Sequence, residues 1–165
     1  TQAFSRIRCR KSFKNSMVPN KMINHIKIYT DGGSRGNPGP AAVGIVIEGL
    51  DFDKKYGEYI GETTNNDAEY RAVIIALKKV KQLIGSDKAG DAAIEFFVDS
   101  ELLAKQLNGE YKVKEKNLQN LFMEVWNLKL DFGKVTFNHV LREKNKEADK
   151  LVNDALDKEA SKLPL

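Results

Sequence analysis

Apolar positions along this chain recur with two different periods. From His25 to Tyr29 they alternate with polar ones as in a half-buried strand, and Ala41 to Ile47 is an apolar run of strand length. Ala72, Ile75, Ala76, Val80 and Leu83 then repeat at helical spacing, which predicts an amphipathic helix just after Thr63-Thr64-Asn65-Asn66. Asn66 reads as its N-cap, with Glu69 three residues on as the capping-box partner. Ala92 to Val98 is a third apolar strand, and Asp99-Ser100 leads it straight into a helix from Ser100 to Leu107. A helix is predicted over Asn117 to Phe132, with Trp126 counted into the core beside Phe122, Val125 and Leu130. A strand from Lys134 to Val140 and a last helix with Ala148, Val152, Ala155 and Leu156 as its buried stripe complete the pattern.

Four acids stand where these segments begin or end: Asp31, Glu69, Asp99 and Asp149. The run TDGGSRGNPGP, Thr30 to Pro40, reads as a tight connection between two strands, with Asp31 at the carboxyl end of the first beside bare backbone amides. A strand as apolar as Ala92 to Val98 belongs inside a sheet. Asp99 then emerges at the same edge as Asp31 if the two strands are parallel neighbours, where open α/β sheets place their sites. Each acid also has a plain structural role open to it: a turn residue at Asp31, a helix cap at Glu69 or Asp99, a dipole partner at Asp149. As a set they repel one another unless cations neutralise them, and carboxylates are the hard oxygen ligands that Mg²⁺ or Mn²⁺ prefers. Two such ions, roughly 3.5 to 4 Å apart, hold the attacking and leaving oxygens of an in-line displacement at phosphorus. Asp31 is the expected bridge, with Glu69 and Asp99 completing one coordination sphere and Asp149 the other. His139, at the end of its strand, is either structural or assists proton movement or product exit.

The words TDGGSRGNPGP, TNNDAEY, VDSELL and NKEAD, in this order, resemble the type 1 ribonuclease H family from about His25 to Leu156. The resemblance implies an α/β ribonuclease H-like fold: a mixed five-stranded sheet, three antiparallel strands followed by two parallel ones, flanked by helices. It implies a metal-dependent endonuclease that cuts the RNA strand of an RNA/DNA hybrid and leaves 3′-hydroxyl and 5′-phosphate ends. Asp31, Glu69, Asp99 and Asp149 match the metal-binding acids, and His139 the catalytic histidine, although the VLREKN segment after it lacks the usual glycine-containing loop. Asn37, Asn65 and Asn66 match strand-contacting positions, Thr64 a DNA-phosphate contact and Asn145 an Asn near the scissile phosphate; Gly32 and Gly33 offer backbone to the substrate. Glu101 stands where an uncharged polar residue is common, and Asn108 to Lys116, with Lys112, Lys114 and Lys116, replaces the basic helix that some members insert. Two competing readings are a non-catalytic hybrid-binding module and a related two-metal nuclease that also cuts double-stranded RNA. The first gives no reason to hold four acids against an anionic ligand.

Composition sets the outer limits. At 165 residues and 41% hydrophobic content the chain suits one well-cored domain, expected over 23–160. A single Cys, Cys9, excludes an internal disulfide and suits a reducing, cytoplasmic setting, and no apolar run approaches a membrane span. The expected species is a monomer. The net charge of +4 is unevenly spread: residues 1–22 carry six basic residues and no acid, so the remainder is −2. That segment reads as a basic phosphate-attracting arm, an expression remnant, an upstream translated extension or a targeting segment, with Met17 and Met22 as alternative starts and 161–165 as a short tail.

Overall fold

The computed structural model describes residues 24–162 and 164; the basic segment 1–22 and positions 163 and 165 of the expected tail lie outside them. In chain order the elements are β1 (His25–Ser34), β2 (Gly39–Glu48), β3 (Asp53–Thr63), α1 (Asn65–Ile84), α2 (Ser86–Ala89), β4 (Ala93–Val98), α3 (Glu101–Leu107), α4 (Lys116–Lys129), β5 (Lys134–His139), a 3₁₀ turn (Arg142–Lys144) and α5 (Lys146–Ala160). The sheet order is β3-β2-β1-β4-β5. β1, β2 and β3 pair antiparallel, and β4 and β5 join parallel to them through β1, as the resemblance implied.

The alternating pattern of β1 sends Ile26 and Ile28 into the main core, where they meet Ile45 and Ile47 of β2, Phe96 and Val98 of β4 and the buried face of α1, Tyr70, Val73, Leu77 and Val80. The opposite side of β1 to β3 is covered by α5 through Val152 and Leu156. A close approach makes this second layer possible. A Cβ at Gly44 would lie 2.0 Å from the Ala148 carbonyl oxygen, and one at Gly57 2.7 Å from that of Leu151, so α5 rests directly on strand backbone. No helix among the described residues is long and apolar enough to cross a membrane.

The structure corrects several boundaries. The strands run well into the glycine-rich connection, pairing from Asp31↔Gly44 to Ser34↔Ala41, so only residues 35–38 turn. α1 is capped by Thr64, whose hydroxyl accepts from the Asp67 amide at 3.2 Å, and not by Asn66. Thr64 takes the role because the backbone is already extended there, two residues before Asn66, which lies within the helix. Trp126 is 51% exposed and Leu130 72%, so neither joins the core. α4 packs through Leu118 and Val125, with Leu121, Phe122 and Leu128 beside them; Trp126 is one residue past Val125, about 100° round the helix.

Candidate metal centre

Strand register places the first two acids. The last pair of the β1–β4 ladder is Thr30↔Val98, so Asp31 and Asp99 are the next residues on two parallel neighbours, and His139 of β5 stands opposite Val98. Ser100 caps α3 through the Leu103 amide at 3.1 Å, which leaves Asp99 free of the capping role. The third acid arrives on α1. With the cap at Thr64, Glu69 lies in the helix beyond the capping-box position. Its backbone can reach β1 because residue 32 is glycine: a Cβ there would fall 2.3 Å from the Ala68 carbonyl carbon and 2.5 Å from the Glu69 nitrogen. One carboxylate oxygen from each of Asp31, Glu69 and Asp99 lies within 4.8 Å of the others.

Burial and mutual repulsion govern this trio. Asp31 is 8% exposed and its carboxyl is pushed up to about 7, chiefly by burial and then by the charges of Asp99 and Asp149; hydrogen bonds from Glu69 and the Gly32 amide oppose the shift. Asp149, on the first turn of α5, is outside the three-oxygen group but close enough to act on Asp31 through its charge. Glu69 is raised well above the usual carboxylate range, first by burial, then by Asp31 and Asp99, and by the hydrogen bond in which it holds the proton against Asp31. Its other oxygen, Oε2, is buried without a hydrogen-bond partner. An orphaned carboxylate oxygen among carboxylates fits a divalent cation, which would supply the charge and the ligand bond together.

A pH dependence follows. The folded-state value of Asp31 lies above that of an unfolded Asp, roughly 3.9, so folding retains a proton and this group's favourable contribution is lost as pH rises through about 7. In EDTA the thermal midpoint is expected to fall between pH 5 and pH 8, and Mg²⁺ at pH 8 should restore it, as binding replaces the proton. Thermal unfolding with and without Mg²⁺ checks this; a midpoint indifferent to both pH and Mg²⁺ would contradict it.

The residues expected to face a substrate separate into two groups. Asn37 Oδ1 accepts from the Asn65 amide at 3.0 Å and Asn65 Oδ1 from the Ser34 amide at 2.9 Å, stitching the β1–β2 turn to the start of α1. Arg35 adds an ion pair to Asp157 of α5 at 2.7 Å. Both carboxamide oxygens are thus used internally, and their NH₂ groups stand on the surface as donors. Thr64 caps α1, and Asn66 lines a small hollow with Glu69 and Ser100. Gly33 faces α5, where an added Cβ would make an ordinary contact with Val152 Cγ1 at 3.5 Å. Gly32 and Asn145 face inward: Gly32 is pressed against α1 and gives its amide to the carboxylates, while Asn145 is 1% exposed. His139 is exposed at the end of β5, near Glu101, which is itself paired with Lys105 at 2.8 Å.

Arg142 was not singled out from sequence. Its Nε lies 4.0 Å from Asp99 Oδ2, and among the described residues it is the one cation paired with these acids. The VLREKN segment displayed the residue, but its distance from Asp99 along the chain concealed the contact. Further out, Leu102, Gln106, Tyr111, Lys112, Lys114 and Leu118 line an open cleft of about 470 Å³.

A family profile described as "Reverse transcriptase-like" matches residues 29–155. The bifunctional protein Rv2228c of Mycobacterium tuberculosis is 39% identical over 135 residues, covering 80% of this chain and 35% of that protein. The chain therefore spans about a third of the length of that relative. Ribonuclease HI of Halobacterium salinarum is 40% identical over 134 residues, 80% of this chain and 64% of that protein. Among solved structures, LC11-RNase H1 in complex with an RNA/DNA hybrid superposes with a TM-score of 0.75 at 45% identity, over 82% of this chain and 99% of that one.

Proposed function

Because the chain belongs to the ribonuclease H family, we propose that it is a divalent-metal-dependent endonuclease that hydrolyses the RNA strand of RNA/DNA hybrids and leaves 3′-hydroxyl and 5′-phosphate ends. The observation that carries this reading is the convergence of Asp31, Glu69 and Asp99, three carboxylates within 4.8 Å of one another at the carboxyl edge of parallel strands. Such a cluster works against binding an anionic ligand unless cations occupy it, which disfavours a non-catalytic binding module.

Two Mg²⁺ ions, or Mn²⁺ in their place, would be held by the carboxylates of Asp31, Glu69, Asp99 and Asp149. When bound, such ions supply a nucleophilic water and stabilise the leaving oxygen of an in-line displacement. The protein's own groups do the remainder. Asp31 and Glu69 give up the proton they share as cations load, and the Gly32 amide keeps both carboxylates aimed at one point. Arg142, beside Asp99, offers a guanidinium to a phosphate approaching the cluster. The NH₂ groups of Asn37 and Asn65, held rigid by their internally bonded oxygens, are placed to sense 2′-hydroxyls across a shallow minor groove. His139, at the same sheet edge, assists proton movement or product release. Contacts of this kind read strand type and shape, and carry little base sequence.

The test is incubation of labelled RNA/DNA hybrid, double-stranded RNA and double-stranded DNA with Mg²⁺ or Mn²⁺, with and without EDTA. Hybrid cleavage at internal positions, stopped by EDTA, is expected. Hybrid binding without cleavage in either metal would select the binding-module reading, and cleavage of double-stranded RNA would widen the substrate class.

A further inference from the structure

Asn145 sits between the 3₁₀ turn and α5, and its bonds point in three directions. Its amide donates to the Arg142 carbonyl at 3.0 Å, and its carbonyl accepts from the Asp149 amide at 3.1 Å. Its Nδ2 crosses 115 positions of sequence to donate to the Thr30 carbonyl at 2.9 Å. An Asn at a helix start ordinarily turns its side chain onto the first amides of that helix; this one makes no such cap. The remaining atom, Oδ1, is buried with no hydrogen-bond partner, as is the neighbouring Thr30 Oγ1. A buried acceptor left unpaired detracts from stability, so fold maintenance alone does not account for an Asn here. What the residue joins is the backbone one step before Asp31 to the backbone of Asp149.

We propose that Asn145 is a positioning residue that fixes Asp149 relative to Asp31, holding the Thr30 carbonyl with its side chain and the Asp149 amide with its own carbonyl. The proposal rests on the reading of Asp31 and Asp149 as cation-holding groups. α5 meets the sheet through Val152 and Leu156 on Ala42, through its backbone on Gly44 and Gly57, and through exposed ion pairs of Glu147 with Lys55 and Asp157 with Arg35, whose long side chains give way easily. Contacts of these kinds tolerate sliding, whereas a hydrogen bond to one particular carbonyl sets a position along β1. Since Asp149 stands outside the three-oxygen group, a small displacement of α5 decides whether it can share a cation with Asp31. This differs from a substrate contact, for which a side chain 1% exposed is poorly placed.

The experiment uses the full chain. Asn145→Leu keeps the outline of the side chain while removing both the donor and the orphaned acceptor, and Asn145→Ala serves as the second variant. Mn²⁺ binding is measured from the electron paramagnetic resonance signal of the free ion, hybrid affinity in EDTA by fluorescence anisotropy, and folding by thermal unfolding in EDTA. The expected result is a loss of Mn²⁺ affinity of about 10- to 100-fold, with hybrid affinity in EDTA within about twofold of the parent. Combining Asn145→Leu with Asp149→Ala should add little beyond Asp149→Ala alone, because the two act on one ligand. Weaker hybrid binding with unchanged Mn²⁺ affinity would make Asn145 a substrate contact and overturn the proposal. So would fully additive effects, no effect in either assay, or unfolding of both Asn145 variants in EDTA, which would mark the tie as purely structural. The underlying reading fails separately: if Asp31→Asn and Asp149→Ala leave Mn²⁺ affinity intact, the cation site itself is wrong and the positioning role falls with it. If those two weaken binding and Asn145→Leu does not, only the positioning role fails.

Discussion

Asp31→Asn is expected to reduce hybrid cleavage by about 10³-fold or more, while making the metal-free protein more stable to heat at pH 8. The two effects have one cause. Asp31 lies in the central strand and feels every other member of the cluster, taking a hydrogen bond from Glu69 and repulsion from Asp99 and Asp149. Above pH 7 an empty site forces its charge into a buried position among like charges; an amide of the same shape removes that cost. The same substitution removes the ligand expected to be shared by both cations, and an amide in its place supplies no charge to hold them. Single-turnover cleavage of a labelled hybrid gives the first number, and thermal unfolding in EDTA the second. Stabilisation by added Mg²⁺ should shrink in the variant as well. Near-parental cleavage by a folded Asp31→Asn protein would remove the metal mechanism, whatever its stability.

Convergence of this kind is partly readable in a linear sequence. Asp31 and Asp99 each follow an apolar strand, and a strand as apolar as Ala93–Val98 has to lie inside a sheet, so their meeting at one edge follows once those strands are parallel neighbours. Glu69 is visible in the sequence as an acid near a helix start, but its depth is not. That depth depends on residue 32 having no side chain, and a glycine in a turn-rich word reads as turn chemistry long before it reads as a packing contact. The cap at Thr64 escaped for a related reason: Thr63, Thr64, Asn65 and Asn66 are all acceptable N-caps, and only the tertiary bond of the Asn65 amide to Asn37 shows where the helix starts. Trp126 was misplaced because an i, i+4 partner on each side does not fix which face of α4 meets α1; Leu118 and Val125 decide that. β3 gave no boundaries, since an edge strand with Lys54, Lys55, Glu58 and Glu62 lacks an apolar run. Asn145 and Arg142 belong to contacts whose partners, Thr30 and Asp99, lie 115 and 43 positions away, and no local pattern announces them.

Gly32→Ala is a severe single-methyl change beside Asp31, expected to cost about 1–3 kcal/mol of stability and about 10²-fold in cleavage. Gly32 has no left-handed backbone angle, so conformational freedom is not the reason for a glycine there. The reason is space. An added Cβ would stand 2.3 and 2.4 Å from the Ala68 carbonyl carbon and oxygen and 2.5 Å from the Glu69 nitrogen, all backbone atoms that no rotamer change can move. Either β1 bends or α1 backs away. α1 is anchored along its buried face by Tyr70, Val73, Leu77 and Val80, so retreat at Ala68 tilts its first turns and carries Glu69 away from Asp31. The Gly32 amide that both carboxylates use moves with it. Gly33→Ala is the stability control: one residue on, the new methyl would meet only Val152 Cγ1 at 3.5 Å, an ordinary contact, and stability should stay near the parental value. If the two alanine variants were alike in stability, close packing of α1 on Gly32 would not be what sets Glu69 in the cluster.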